Sequence, residues 1–387
     1  MSAIRAVGIR APSALTLAMS VAGLVAIAVG LDRDPTRLWT NLLVDGFYVL
    51  SVALGGMLFI AVQLLSGAAW SAGMRRVAEA MMGALPVAAV MMLALFFGRG
   101  SLYSWAATPA PAHVSAGLAS AYFAVPFVFA RMAFFLMIWT AFARLMRRAS
   151  SHQDTSADPI HHQRLVRYSA IFVVVFACSF SLASVDWLLT LDPRWTSTMY
   201  AVYVFSGVLV AGVAAVTLVV VLLHERGHLV DVVNANHLHD LGKLLFAFTT
   251  FWAYIWLSQY LLIWYSNLPE EAGYYVVRTG SGWLPLFVIN LVVNWLIPFC
   301  LLLPRASKRS PSMLKWVAVI ILIGRWLDIY LLVTPQTMKA PAVGLLELSI
   351  AVAYAGLVWR TVSGALEQRP LVVEHDPYLF ECVQHHQ

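Results

Sequence analysis

Ten stretches of this chain are apolar for long enough to cross a lipid bilayer, and no other feature limits its fold so strongly. An α-helix rises about 1.5 Å per residue, so about 20 apolar residues match a hydrocarbon core of about 30 Å. The runs 13–31, 46–74, 80–98, 195–223, 244–269 and 279–304 satisfy this and contain no charged residue. Run 114–143 is broken by Arg131, run 168–191 by Asp186, run 316–335 by Arg325 and Asp328, and run 340–359 by Glu347. The runs are continuous rather than alternating, so the expected class is all-α, a polytopic membrane protein with about ten transmembrane helices. Composition agrees: 61 % of the 387 residues are hydrophobic and 11 % charged, too few charges to cover a soluble surface. That excludes a soluble enzyme, a disordered chain and a nucleic-acid binder.

The net charge of +6 follows membrane topology. With the N-terminus inside, 17 Lys and Arg fall in inner segments and 6 in outer ones, and Arg131 and Arg325 lie within spans. Both termini are therefore expected in the cytoplasm. Arg5 and Arg10 precede an apolar run ending Ala26-Ile27-Ala28, which has the look of a signal-peptide cleavage site. The run is long for a signal core, so a retained first helix is expected.

The eleven histidines all fall outside the apolar runs, His113 in an outer loop and the others at the inner side or in the tail. Axial haem ligation between helices needs histidines inside the bundle, so a resident haem is not expected. Cys178, Cys300 and Cys382 are far apart and form no iron–sulfur or CxxC spacing. His224-Glu225-Arg226-Gly227-His228 matches the zinc motif H-E-x-x-H. The metzincin extension would need Gly and His at 231 and 234, where Asp231 and Asn234 stand, and the motif sits at the inner end of its span. A metal site at His224, Glu225 and His228 is therefore disfavoured.

The charges within spans carry the functional reading. A central Arg costs about 2.5–3.5 kcal/mol on insertion scales, so Arg131, near the middle of its run, should face the bundle and be paired. It is either a quinone-site or proton-path residue or half of an ion pair between helices. Arg325 and Asp328 share one helical face and can neutralise each other. Asp186, Asp328, Glu347 about two turns inside the last span, and Asp45 at the outer edge of the second all fall in the outer half, a depth that suits proton release from a quinol or a proton half-channel. Asp45 by itself reads as interfacial. Asn290 and Asn294 either line a path or bond between helices. On the inner side His237, His239, Asp240 and Lys243 either collect protons or cap a helix start. The aromatic stripe from Phe246 to Tyr265 reads as lipid-facing packing and interface belt rather than a ring-binding box.

Three stretches, SLASVDWLLTLDPRWTSTMYAVYVFSG at 181–207, HLHDLGKLLFAFTTFWAYIWLSQYLLIWYSNLPEE at 237–271 and GRWLDIYLLVTP at 324–335, with HDPYLFE at 375–381, resemble the ActF family of membrane subunits of bacterial alternative complex III. That complex is a quinol:cytochrome c oxidoreductase, and the family is similar to the NrfD/polysulfide-reductase membrane-subunit group. The resemblance implies two four-helix bundles, 44–194 and 195–338, preceded by a first helix and outer loop over 1–43 and followed by a last helix and tail over 339–387. It implies no cofactor in this chain, with haem c and iron–sulfur clusters in partner subunits. It also implies a paralogous NrfD-like subunit, an iron–sulfur subunit and multihaem cytochromes c as partners, in the bacterial inner membrane. Asp186, His237, His239, Asp240, Lys243, Arg325 and Asp328 lie in the matching stretches. Arg131 and Glu347 lie outside them and rest on the membrane argument. The expected mechanism is proton conduction or quinol handling, with entry at His237–Lys243, outer groups Asp186, Arg325 and Asp328, and Arg131 between. A quinol-binding subunit proper, a stand-alone transporter, the zinc protease and a scaffold are the rival readings.

Overall fold

In a computed structural model, the described residues are 13–106, 117–280 and 282–386. Ten helices among them are long and apolar enough to span a membrane. They are α1 Ser13–Arg33, α2 Pro35–Leu65, α3 Ala69–Leu102, α4 Val125–His152, α5 Pro159–Trp187, α6 Tyr200–Glu225, α7 Ala235–Ser266, α8 Leu284–Leu302, α9 Pro311–Thr337 and α10 Leu345–Glu367. The protein is all-α and has the architecture of a multi-helix membrane protein. The expectations for Arg5, Arg10, His113 and the start of the run at 114 lie outside the described residues.

The helices alternate in direction. One end of the bundle carries Ser13 and the C-terminal tail and is called the tail end; the other is the far end. α2 and α6 form the core, and their axes meet where Gly55 faces Gly212. A Cβ at Gly55 would lie 2.5 Å from the Gly212 Cα, so only glycine allows this approach. α9 packs on both core helices, and α10 packs on α1 and α2.

Several boundaries differ from the apolar runs, because helices continue past the hydrocarbon into polar ends. α2 follows α1 with a single intervening residue, Asp34, whose side chain accepts from the Arg37 N–H at 3.0 Å and caps the helix. The outer loop expected up to residue 43 is therefore helix, and Asp45 is the eleventh residue of α2, about 15 Å along it, rather than at its edge. α2 ends at Leu65, where Gly67 takes φ +62°, so Arg75 and Arg76 belong to α3. α4 begins at Val125, which puts Arg131 in its second turn, not its middle. α10 begins at Leu345, which puts Glu347 in the first turn, not two turns in. His152, His161, His162, His224, His237 and His239 likewise fall inside helix ends, all at the tail end.

Pro335 shows how the short far-end helix Pro269–Thr279 serves a spanning one. Proline lacks the N–H that the Leu331 carbonyl would accept within α9. Arg278 supplies it: Nε donates to Leu331 O and Nη2 to Leu332 O, both at 3.1 Å. Arg278, counted among the outer charges, is buried.

Candidate functional site

The most deeply buried ion pair among the described residues sits where α6, α7, α8 and α9 converge. Arg325 and Asp328 are one turn apart on α9, and the guanidinium Nη2 lies 2.7 Å from Asp328 Oδ2. Their side chains are 2 % and 1 % exposed, so this pair is not screened by solvent. The second carboxylate oxygen accepts from the Tyr203 hydroxyl at 2.5 Å and from Asn290 Nδ2 at 2.7 Å. Asn294 Nδ2 donates to Gly324 O at 2.9 Å, so both asparagines bond from α8 to α9. α8 widens into a π-helical turn at Val292–Leu296, a local form common at functional sites. Gly207 on α6 makes room for the guanidinium: a Cβ there would be 2.0 Å from Arg325 Nη2. Arg325 Nε and Nη1 are buried without a hydrogen-bond partner among the described residues. Beside this centre a cavity of about 20 Å³, lined by Tyr203, Asn290, Arg278 and Tyr274, is large enough for one water.

Arg131 and Asp186 form a second, separate pair. Arg131 Nε lies 2.9 Å from Asp186 Oδ2 and Nη2 lies 3.1 Å from Oδ1. The Tyr122 hydroxyl donates to Asp186 at 2.6 Å, and the guanidinium covers the Tyr122 ring. This pair ties α4 to the far end of α5, so Arg131 stands beside Asp186 and not between the outer and inner groups.

The residues expected to admit protons form a third cluster, closed by the C-terminal tail. Asn234 caps α7, and its N–H donates to His237 Nδ1 at 3.1 Å. The His237 Nε2 lies 3.4 Å from Cys382 Sγ. Asp240 bridges Lys243 Nζ at 2.5 Å and His385 Nε2 at 2.7 Å. His237 is fully buried, whereas His239 is half-buried and Lys243 exposed. The expected entry is therefore covered at His237 and open at Lys243. From Asp240 to Trp252, which faces Arg325, α7 rises about 18 Å. Within that stretch buried Thr249 bonds back to Leu245 O in its own helix.

Glu347 joins helices. Its two oxygens lie 2.7 Å from Arg37 Nε and Nη2, and it accepts from Asn41 and from the Gly344 N–H. Asp45, read as interfacial, is buried, with Oδ1 accepting from Trp326 Nε1 at 2.7 Å. The zinc-motif residues do not share a helical face: α6 ends at Glu225, Gly227 takes φ +81°, and Glu225 pairs with Lys315 at 2.7 Å. The aromatic stripe divides, with Trp252 and Trp256 buried and Tyr254, Trp264 and Tyr265 exposed.

Sequence reasoning missed a network at the tail end. Arg75 lies 2.5 Å from Asp376 and donates to Gln153, while Arg76 reaches Glu79 at 2.6 Å and Asp154 at 2.5 Å. It locks the tail to α3 and to the α4 end. Its one sequence signal was Glu79, an acidic residue three and four positions after two arginines. Comparison with protein-family models finds no match, and comparison with curated proteins finds none either.

Proposed function

We propose that this chain is the membrane subunit of a quinol-oxidising respiratory assembly of the alternative complex III type and that it handles protons through the Arg325–Asp328 centre. The observation that carries the reading is the centre itself: an ionisable pair almost fully removed from solvent, with a tyrosine hydroxyl on the carboxylate and two guanidinium nitrogens that have no partner among the described residues. Intramembrane charges are costly and mark proton or substrate pathways. Protonating Asp328 removes the charge that balances Arg325, so each proton alters the force holding the guanidinium against Gly207. The assembly rests on the resemblance of 181–207, 237–271, 324–335 and 375–381. Its partners are a paralogous NrfD-like subunit, an iron–sulfur subunit and multihaem cytochromes c, which carry the haem and clusters. The positive-inside bias turns the tail end to the cytoplasm of a bacterial inner membrane.

The test is tagged purification in mild detergent followed by quinol:cytochrome c turnover. Co-purifying multihaem cytochrome c is expected, as is lower turnover in Asp328→Asn and Asp186→Asn with assembly intact. A lone colourless protein removes the respiratory assignment, and normal turnover in both variants removes the role of the carboxylates.

A further inference from the structure

A second site lies at the tail end, on the lipid-facing side of α3. α4 and α10 both pack on α3, and Gly83 stands in the gap between them. A Cβ at Gly83 would lie 3.5 Å from Arg147 Nη1 on α4 and 3.7 Å from Thr361 Cγ2 on α10. Just past α10, Arg369 turns back and donates from Nη1 to the Arg147 carbonyl at 3.2 Å, which brings the two arginines together. They line a cavity of about 10 Å³, close to the room that one water or one phosphate oxygen needs. The carboxylates nearby are taken: Glu79 lies between Arg75 and Arg76, Asp154 pairs with Arg76 and Asp376 with Arg75. Among the described residues neither Arg147 nor Arg369 pairs with a carboxylate. Arg144, Arg148 and Arg226 at the same end are exposed and left to water, whereas Arg147 and Arg369 are half-buried. From Gly83 an exposed apolar stripe runs toward the far end along one face of α3, through Pro86, Val90, Leu93 and Phe97. α4, packed alongside, exposes Phe134, Met137 and Leu145.

We propose that this cleft binds an anionic glycerophospholipid, with its phosphate on Arg147 and Arg369 and its acyl chains along the α3 stripe. Two facing guanidinium groups, half out of water and without a counter-charge, call for an anion. A guanidinium fork meets phosphate oxygens two at a time, which an ammonium does not. The apolar stripe that begins at the arginines favours a lipid over free phosphate, because a free anion gains nothing from it. A phosphatidylcholine headgroup brings its own cation toward the arginines, whereas phosphatidylglycerol brings only the negative charge. Basic pockets between spans at one membrane face suit this chemistry. An acidic protein segment could satisfy the arginines but has no use for a stripe at bilayer depth. The inference needs only that the chain lies in a bilayer, and it stands apart from the quinol-linked reading.

The test is native mass spectrometry of the full chain, purified and delipidated in mild detergent, titrated with dioleoyl phosphatidylglycerol or dioleoyl phosphatidylcholine. Saturable binding of phosphatidylglycerol is expected, about tenfold tighter than phosphatidylcholine. Arg147→Gln/Arg369→Gln should lower the phosphatidylglycerol affinity about tenfold and leave phosphatidylcholine unchanged. Its melting midpoint without lipid should not fall, since two like charges are removed. Arg369→Gln alone, beyond the last span, is the milder variant and should show part of the loss. Arg147→Lys keeps the charge without the fork and should lose less than Arg147→Gln. Arg226→Gln, which removes an exposed arginine at the same end, should change nothing. Dihexanoyl phosphatidylglycerol, with the same headgroup and short chains, should bind more weakly than the dioleoyl form. Equal binding of the two dioleoyl lipids, full affinity in the double variant, or an equal loss in Arg226→Gln overturns the proposal. Displacement by inorganic phosphate or glycerol 3-phosphate would make this a free-anion site, and displacement by a hexaglutamate peptide a protein-docking site; either result overturns the lipid assignment.

Discussion

Asp328 accepts from three side chains on three helices, Tyr203, Asn290 and Arg325, and so fixes the register of α6, α8 and α9 as well as holding a charge. Removing one partner of a buried pair costs about 3–5 kcal/mol, whereas replacing both by apolar residues of similar volume is often neutral. Asp328→Asn is therefore expected to lower both thermal stability and turnover. The double variant Arg325→Met/Asp328→Leu should recover the stability and not the turnover, and recovery of both in a coupled melting and turnover assay would make the pair purely structural. Cys382 gives a second residue-scale prediction. Burial in the docked tail pushes its thiol up to about 11 from 9.0. The folded form thus keeps a proton that the released tail gives up, so docking is at full strength below pH 9 and weakens as pH rises toward 11. In a Cys178→Ser/Cys300→Ser background, maleimide labelling of Cys382 should be slow at neutral pH and should rise more steeply through that window than labelling of an exposed thiol.

At the scale of elements, two contacts decide how the helices sit. The Gly55–Gly212 crossing brings the α2 and α6 backbones together, and a leucine at 212 has no room without separating the core helices. Gly212→Leu is expected to abolish the monodisperse species in size-exclusion chromatography, while Gly227→Ala, at a turn with open space, costs only its φ of +81°. At the far end Glu347 pins α10 to α2 through Arg37 and also accepts from the N–H of Gly344, the residue that caps its own helix. Glu347→Gln should lower stability by about 1–3 kcal/mol, read as a drop in the melting midpoint without loss of the folded species.

For the whole molecule, the charged groups fall into separate depths rather than one chain of contacts. The far end holds Arg131–Asp186 and Arg37–Glu347, the interior holds Arg325–Asp328, and the tail end holds the His237–Asp240 and Arg75–Asp376 clusters. The tail is part of the fold: His385 and Cys382 seal the start of α7, and Asp376 seals α3. Between Asp240 at the tail end and Trp252 beside the Arg325 centre, the polar side chains of α7 are Lys243, Thr249 and Thr250.

The sequence by itself determined the class and the number of spans, and it marked Arg131, Asp186, Arg325, Asp328 and Glu347 as charges within them. Those properties depend on local hydropathy, because every residue facing a hydrocarbon core must satisfy the same transfer cost wherever it stands in the chain. Asn290, Asn294, Arg325 and Asp328 were legible for that reason, as polar residues in apolar runs. Their partners were not. Arg37 meets Glu347 across 310 positions, Tyr203 meets Asp328 across 125, and Arg131 meets Asp186 across 55. Arg75, Arg76 and Arg278 read as loop charges because topology counts charges by position, whereas their burial depends on carboxylates and carbonyls brought from distant segments. Only the tertiary structure decided that Asp45 is buried against Trp326 and that the tail covers His237, since helix packing sets both and a single span does not encode it.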